Sequence, residues 1–201
     1  GVRVWATSLR GEPAWAHERY VGAEDVRAVP HGMRFTLVTD EGRFDVEIPL
    51  AGDFNVANLL GVVAVLRAAG YAADDFLPHL SSLRAPEGRM QMLRAEGAPL
   101  AVVDYAHTPD ALVKALANLR PIAKVRGGRL WVVFGCGGDR DAGKRPLMAA
   151  AAEAEADRVV VTSDNPRTES PEAILRDITA GFHSAPALVE EDRRKAIHET
   201  I

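Results

Sequence analysis

The sequence predicts an α/β protein whose second half contains a parallel sheet flanked by helices. Three short apolar runs, at residues 100–103, 130–134 and 158–161, are typical of strands that are covered on both faces. Each run is followed by apolar residues at helical spacing, and this alternation of strand and helix is typical of parallel sheets. The chain of 201 residues is 47% hydrophobic and 26% charged, which is enough to bury a core without disulfide bonds.

The first part of the chain predicts a hairpin followed by a helix. Strand-like residues 35–39 and 43–48 flank the turn Asp40-Glu41-Gly42. A helix is expected from about residue 55 to 69, with Gly70 ending it. Its apolar residues lie on most faces, which predicts deep packing. Residues 78–88 look irregular, and the domain boundary is placed there, with Pro86-Glu87-Gly88 as the linker.

The second part of the chain repeats one pattern of strand, polar loop, proline and helix. The polar loops are residues 104–107, 135–144 and 163–169, and the prolines Pro109, Pro146 and Pro171 are expected at the first helical positions. Ligands of open parallel sheets bind outside the carboxyl ends of the strands. We therefore expect the functional site where the three loops meet.

The glycine-rich loop at residues 138–145 almost matches the P-loop pattern G-x-x-x-x-G-K-[ST]. Arg145 stands where a P-loop needs a hydroxyl for magnesium, which argues against a true P-loop. The glycines still permit close approach of a ligand, and Arg140, Lys144 and Arg145 add positive charge beside a helix N-terminus, which suits an anionic group. The alternative is a solvated basic turn.

The string Asp164-Asn165-Pro166-Arg167 combines groups that could bind a zwitterion. Aspartate accepts from an ammonium group, asparagine donates and accepts, and arginine binds a carboxylate with two parallel hydrogen bonds. The alternative is a turn with a helix cap, since Asn-Pro commonly initiates turns.

Four further polar residues and the cysteine allow more than one interpretation. Asp104, at the end of a strand, could bind a ribose, and His107 could be a base, a ligand contact or a cap. Asn55 alone would be a plain N-cap, but Asn58 lies on the same helix face, which indicates a ligand or a buried hydrogen bond. Cys136 is interpreted as a small buried apolar residue.

Composition excludes several classes of protein. The net charge is −4 and no basic tract is present, so nothing favours nucleic acid or an anionic membrane surface. The single cysteine permits no internal disulfide, and no apolar run is long enough to span a bilayer. The strand-like start at residues 2–5 and the helix-like end at residues 192–201 suggest cuts through a longer protein.

The motifs taken in chain order resemble those of the Mur ligases, and most closely the branch that adds the third amino acid of the peptidoglycan stem peptide. The resemblance covers residues 52 to about 171, and residues 1–50 fit only loosely. The matching strings are Gly52-Asp53-Phe54-Asn55-Val56-Ala57-Asn58, Gly88-Arg89, Asp104-Tyr105-Ala106-His107-Thr108-Pro109-Asp110, Phe134-Gly135-Cys136-Gly137-Gly138-Asp139-Arg140-Asp141, Gly143-Lys144-Arg145-Pro146 and Asp164-Asn165-Pro166-Arg167.

This resemblance implies a division into two parts. Residues 1–85 would be the C-terminal part of a central ATP-binding domain, and residues 86–201 a truncated, Rossmann-like amino-acid-binding domain. The phosphate-binding loop, the magnesium ligands and a carbamylated lysine of the family would lie upstream, so no metal ligand is expected in this chain. A Gly-Lys-Gly-His-Glu stretch that completes the amino-acid pocket would lie downstream. The fragment alone is therefore expected to be inactive.

The resemblance also implies roles for single residues. Asn55 and Asn58 would face the adenine of ATP, Asp104 the ribose, and Tyr105 and His107 would lie beside the nucleotide. Arg89 would approach the phosphates, and Arg89 and His107 are the catalytic candidates. The amino acid would be bound by the set Arg140, Asp164, Asn165, Pro166 and Arg167.

The implied activity is an ATP- and Mg²⁺-dependent ligation in the cytoplasm, with UDP-MurNAc-L-Ala-D-Glu and a diamino acid as partners. The Asp-Asn-Pro-Arg string resembles the signature for meso-diaminopimelate. Relatives that add L-lysine or L-ornithine, and a non-catalytic amino-acid or nucleotide binding module, are the alternatives. An oxidoreductase is disfavoured because Arg140 stands where the third glycine of G-x-G-x-x-G would be.

Overall fold

A computed structural model describes residues 4–10 and 19–201 and divides the chain into two compact units, Gly1–Leu93 and Arg94–Ile201. Of the strand-like start predicted at residues 2–5, Val2 and Arg3 lie outside the described residues. Val4 and Trp5 precede the first strand rather than belonging to it, since that strand spans Ala6–Ser8. The helix-like end is confirmed, because the last helix spans Arg193–Thr200.

The first unit contains a four-stranded mixed sheet. Its strands are β1 (Ala6–Ser8), β2 (Tyr20–Val29), β3 (Gly32–Thr39) and β4 (Gly42–Ile48), in that order across the sheet. β1 pairs with β2 in parallel, and the other pairs are antiparallel. The predicted hairpin is confirmed, because Thr39 pairs with Gly42 across the turn. Gly42 has φ +144°, a conformation that favours glycine.

A long helix, α1 (Asp53–Ala68), packs against this sheet on one face only. The predicted bounds of 55–69 are confirmed to within two residues, and Gly70 follows with φ +94°. The prediction of deep packing was wrong. Val62 and Val65 are 55% and 68% exposed, because the sheet covers only the face that carries the buried residues Val56, Leu59, Leu60, Val63 and Ala64.

The first unit ends in short elements. These are the helix α2 (Ala73–Phe76), a 3₁₀ helix at Leu77–Ser82 and the strand β5 (Gln91–Leu93). The prediction that residues 78–88 are irregular was therefore wrong for the first five of them. Pro78 does not prevent the 3₁₀ helix, because proline is tolerated in the first turn of a helix, where its missing N–H leaves no hydrogen bond unmade.

The second unit alternates strands and helices. Its elements are β6 (Ala101–Val103), α3 (Pro109–Val125), β7 (Trp131–Phe134), α4 (Lys144–Glu155), β8 (Arg158–Thr162), α5 (Pro171–Thr179), β9 (Leu188–Glu190) and α6 (Arg193–Thr200). Strands β7, β8 and β9 form a parallel sheet, with Phe134 opposite Val161 and Val161 opposite Val189. The α/β fold with a parallel sheet is confirmed.

Two details of the second unit differ from the predictions. β6 is not hydrogen-bonded into the three-stranded sheet, and its residues are half-buried or exposed, whereas Val159–Val161 in β8 are buried. Helices α3 and α5 do begin at Pro109 and Pro171, but α4 begins two residues before Pro146. The first turn of a helix has no intrahelical partner for its N–H groups, so proline fits at its third position as well.

Candidate functional site

The glycine-rich loop after β7 lies directly against the loop after β8. The Gly138 amide donates to the Asn165 carbonyl at 2.9 Å. A Cβ on Gly138 would lie 1.9 Å from the Pro166 carbonyl oxygen, and a Cβ on Gly135 would lie 2.3 Å from that of Thr162. These two glycines are therefore required by contact between two protein backbones. Of the glycines at residues 138–145 that were expected to permit approach of a ligand, Gly138 is instead required by the Pro166 carbonyl.

The loop contact orients Arg167. Its Nη1 donates to the Gly138 carbonyl at 2.7 Å and, more weakly, to the Asn165 carbonyl at 3.5 Å. Its backbone has φ +51°, which is uncommon outside glycine. Within residues 4–10 and 19–201, every hydrogen bond of this side chain starts from Nη1. The Nε and Nη2 donors of the exposed guanidinium therefore remain for a ligand carboxylate.

Asp139 and Thr168 join the two loops a second time. Asp139 Oδ1 accepts from the Thr168 hydroxyl at 2.7 Å, and Oδ2 accepts from the Thr168 amide at 3.2 Å. These hydrogen bonds hold the pKa of Asp139 below its ordinary value. Sequence reasoning missed this pair, and a lone Asp and a lone Thr in separate loops carry no signal that would have found it.

Arg145 is buried and ion-paired, so it was wrong to count it among the cations available to a ligand. It is 2% exposed and donates to Glu169 Oε1 and Asp177 Oδ2, each at 2.8 Å. These hydrogen bonds raise the pKa of Arg145 and lower that of Glu169. The helical spacing of the buried α4 residues could have revealed this, since they share one face: Arg145, Met148, Ala149 and Ala152.

The loop after β6 is ordered by short-range hydrogen bonds. Asp104 Oδ1 accepts from the Ala106 amide at 2.9 Å, and the Thr108 hydroxyl caps α3 by accepting from the Ala111 amide. His107 Nδ1 lies 3.0 Å from the Tyr105 carbonyl, and the Tyr105 and His107 rings meet edge to face at 5.1 Å. A carbonyl can only accept, so in this contact Nδ1 is the donor. The helix cap is Thr108 rather than His107.

Lys144 connects this loop to the glycine-rich loop. Its Nζ donates to the His107 carbonyl at 3.0 Å. The three predicted loops are thus linked by hydrogen bonds within one unit, as the repeated pattern indicated. Of the remaining candidates there, Arg140, Asp164 and Asn165 are exposed on the loops that follow β7 and β8. The interpretation of Cys136 is confirmed, because it is buried, and burial raises the pKa of its thiol.

The other three candidates belong to the first unit. Asn55 Nδ2 donates to the Ala51 carbonyl at 2.8 Å, and no side chain caps α1, so the N-cap alternative for Asn55 was wrong. Gly52 occupies the cap position. Asn58, one turn further on, is exposed. Arg89 is exposed in a turn in which its amide donates to the Pro86 carbonyl at 3.1 Å.

A separate basic cavity of about 390 Å³ lies at the opposite edge of the parallel sheet, where β7 and β8 begin. Its lining is Arg120, Lys124, Gly128, Arg129, Asp157 and Arg158. The Asp157 carboxylate lies in it and accepts from Arg120 Nη1 and from the Leu130 amide, each at 2.6 Å. These hydrogen bonds lower the pKa of Asp157, so a negative charge already occupies this cavity.

Within residues 4–10 and 19–201, no three His, Cys, Asp or Glu side chains cluster as metal ligands would. In that same part of the chain, no helix is both long and apolar enough to cross a lipid bilayer.

Comparison with protein families gives two matches along the chain. Residues 88–201 match the Mur ligase glutamate ligase domain, and residues 1–66 match the Mur ligase middle domain. The chain belongs to the Mur ligase family.

Individual Mur ligases and their relatives agree with this membership. The UDP-N-acetylmuramoyl-L-alanyl-D-glutamate--2,6-diaminopimelate ligase of Acidovorax sp. (strain JS42) is 47% identical over 98% of this chain, which spans 38% of that relative. A solved structure of a ligase with the same name is 41% identical, with a TM-score of 0.72 over 96% of this chain and 38% of the other. A folylpolyglutamate synthase of Mycobacterium tuberculosis, complexed with ADP and AMPPCP, is 25% identical, with a TM-score of 0.66 over 89% and 40%.

Proposed function

We propose that the full-length protein containing this chain is a UDP-N-acetylmuramoyl-tripeptide synthetase that adds meso-diaminopimelate to UDP-MurNAc-L-Ala-D-Glu. ATP would be consumed in the cytoplasm, where these nucleotide substrates occur. The relatives named as 2,6-diaminopimelate ligases support the substrate pair. On this proposal residues 1–85 are the end of the ATP-binding domain and residues 86–201 most of the amino-acid-binding domain.

One observation carries the choice of amino acid, namely the orientation of Arg167. Its Nη1 is bound to the Gly138 carbonyl, and its Nε and Nη2 remain as a pair of donors suited to a carboxylate. meso-Diaminopimelate has a second carboxylate at its distal end, which lysine and ornithine lack. Arg167 would bind that carboxylate, and the exposed Arg140, Asp164 and Asn165 would contact the remaining charged groups, with Pro166 shaping the loop.

Six residues are proposed to contact the nucleotide. The complex of the related folylpolyglutamate synthase with ADP and AMPPCP supports a nucleotide as ligand. Asn55 and Asn58 would contact the adenine and Asp104 the ribose. His107 would use Nε2, since Nδ1 is occupied by the Tyr105 carbonyl, with Tyr105 packed beside it. Arg89 would approach the phosphates.

The reaction would proceed in two steps. The γ-carboxylate oxygen of the substrate glutamate attacks the terminal phosphorus of ATP, and ADP leaves, which forms an acyl phosphate. The free amine of the amino acid then attacks the acyl carbon, which forms the amide, releases phosphate and gives up a proton to solvent. Residues of the second unit contribute chiefly by holding the amine near the acyl carbon. Mg²⁺ would neutralise phosphate charge, although residues 4–10 and 19–201 contain no cluster of His, Cys, Asp or Glu side chains that could bind it.

The proposal is tested with the purified full-length protein, UDP-MurNAc-L-Ala-D-Glu, ATP and Mg²⁺. Phosphate release and the mass of the nucleotide product are measured with meso-diaminopimelate, L-lysine and L-ornithine in separate reactions. We expect kcat/KM to be highest for meso-diaminopimelate, with a product heavier by one diaminopimelyl residue. A preference for lysine or ornithine would contradict the amino-acid assignment, and the absence of product with all three would contradict the ligase assignment.

A further inference from the structure

The segment 163–169 is held in place by a residue that cannot reach the amino acid itself. Arg145 is buried in α4 and therefore does not contact a ligand in the loops. Its guanidinium nevertheless connects three separate parts of the second unit. Nη2 donates to Glu169 Oε1 at 2.8 Å and lies 3.5 Å from the Gly137 carbonyl, and Nη1 donates to Asp177 Oδ2 at 2.8 Å.

Glu169 connects Arg145 to both loops through hydrogen bonds. Its Oε1 accepts from Arg145 and also from the Asp139 amide at 2.5 Å. Asp139 in turn binds Thr168 with both carboxylate oxygens. Thr168 is the residue next to Arg167, so the chain of contacts ends beside the predicted carboxylate-binding side chain. Arg167 itself adopts φ +51°, a conformation that persists only when its surroundings impose it.

We propose that Arg145 is a positioning residue of the amino-acid site, which acts through Glu169 to fix the loop carrying Asp164, Asn165 and Arg167 against the glycine-rich loop. This inference rests on the proposed function. It assigns no contact with substrate to Arg145. Its consequence is that the affinity for the amino acid depends on Glu169 and Thr168, although neither needs to touch the ligand.

The structure offers a matched control for this idea. Asp177 is the second carboxylate of Arg145, but it lies on α5, and among residues 4–10 and 19–201 its side chain has no hydrogen bond or ion pair other than that with Arg145. Asp177→Ala therefore weakens the ion pairing of Arg145 without releasing the loop. Glu169→Ala removes the loop contact as well. Glu169→Gln retains a carbonyl oxygen that can still accept from Arg145 and Asp139, so it serves as the conservative variant.

The experiment compares Glu169→Ala, Glu169→Gln, Thr168→Val and Asp177→Ala in the full-length ligase. KM is measured for the amino acid and for ATP, with thermal unfolding as the measure of folding. We expect Glu169→Ala to raise the amino-acid KM by about tenfold or more, which corresponds to about 1.4 kcal/mol, with the KM for ATP unchanged within about twofold. Glu169→Gln should restore most of the wild-type value, and Thr168→Val should shift the same KM in the same direction.

The control separates positioning from general stability. We expect Asp177→Ala to lower the unfolding temperature while it leaves the amino-acid KM unchanged. An equal rise of the amino-acid KM in Glu169→Ala and Asp177→Ala would overturn the proposal, as would folded Glu169→Ala and Thr168→Val variants with wild-type KM. If Glu169→Ala fails to fold, the amino-acid KM of Thr168→Val tests the proposal by itself. If the wild-type protein ligates no amino acid, the proposed function is refuted. That outcome is seen in the wild-type assay alone, so it is distinguishable from failure of the positioning role, which is seen only in the variants.

Discussion

At the scale of single residues, the two arginines of the paired loops have different environments. Arg145 is buried among carboxylates and makes its bonds inside the protein. Arg167 is exposed, and one of its nitrogens is fixed by the Gly138 carbonyl. A guanidinium fixed at one end binds a carboxylate with less loss of conformational freedom than a mobile one. Arg167 is therefore the residue on which amino-acid selectivity should depend.

The selectivity prediction concerns Arg167→Ala in the full-length protein. A hydrogen bond to a charged group contributes roughly 1.5–3 kcal/mol, and tenfold in affinity corresponds to about 1.4 kcal/mol. The change should therefore lower kcat/KM for meso-diaminopimelate by about one to two orders of magnitude, with a much smaller effect on lysine. The measurement is kcat/KM for both amino acids in both proteins. An unchanged ratio would mean that the distal carboxylate binds elsewhere.

At the scale of elements, the two loops after β7 and β8 pack backbone to backbone, and this packing determines which residues their sequences can contain. Gly135 and Gly138 have no space for a side chain, since the oxygens of Thr162 and Pro166 lie where a Cβ would be. Gly61 in α1 is different, because nothing lies within 4 Å of its Cβ position. These two loop glycines are therefore required by packing, whereas alanine can replace Gly61.

The prediction for this packing compares Gly138→Ala with Gly61→Ala in the chain of residues 1–201. Overpacking costs about 1–3 kcal/mol, so Gly138→Ala should lower the free energy of unfolding by that amount. Gly61→Ala should raise it by roughly 0.5–1 kcal/mol, since alanine suits a helix interior better than glycine. Denaturant unfolding of the three proteins provides the comparison. A neutral Gly138→Ala would show that the loops are further apart than described.

Sequence patterns predicted the individual helices and strands better than they predicted which of these elements lie next to one another. The hairpin of β3 and β4 and the strands β7 and β8 follow from short-range alternation or apolar runs, which are local signals. The exclusion of β6 from the three-stranded sheet depends on hydrogen bonding between distant segments, which no local pattern encodes. The exposed side of α1 was missed for the same reason, because its apolar residues do not indicate how much of the helix the sheet covers.

In the site, too, features that follow from local sequence were predicted, whereas contacts between residues far apart in the chain were not. The pairing of the loops after β7 and β8 was predictable, because both strands end at the same edge of one parallel sheet. The loop after β6 lies outside that sheet and is joined to the glycine-rich loop by Lys144. The partners of Arg145 were not predictable, since Glu169 and Asp177 lie 24 and 32 residues away along the chain. The pairing of Asp139 with Thr168 likewise becomes visible only when the two loops are side by side.

At the scale of the whole molecule, the chain contains two units that match two Mur ligase domains but only part of the length of the relatives. It spans 38% of the Acidovorax ligase and of the solved diaminopimelate ligase. The near P-loop at residues 138–145 does not supply what is missing, because Arg145 replaces the hydroxyl and is committed to Glu169 and Asp177. The proposed phosphate transfer would therefore use residues other than these.

The prediction for the isolated chain is that residues 1–201 do not hydrolyse ATP. Phosphate release in the presence of ATP and Mg²⁺ should equal the rate without protein. Lys144→Ala is the matched variant, because Lys144 holds the P-loop lysine position but donates to the His107 carbonyl. Activity that Lys144→Ala abolishes would show that the loop binds phosphate after all.

The placement of the amino acid is tested most directly by a crystal structure of the full-length protein with meso-diaminopimelate bound. We expect the distal carboxylate to lie within about 3 Å of Arg167 Nε and Nη2, the distance of a charge-assisted hydrogen bond. The Arg167 Nη1 contact with the Gly138 carbonyl should be retained, and Asp164 or Asn165 should contact the ligand. A meso-diaminopimelate molecule bound away from the loops after β7 and β8, with Arg167 unchanged in solvent, would contradict the assignment of these loops as the amino-acid site.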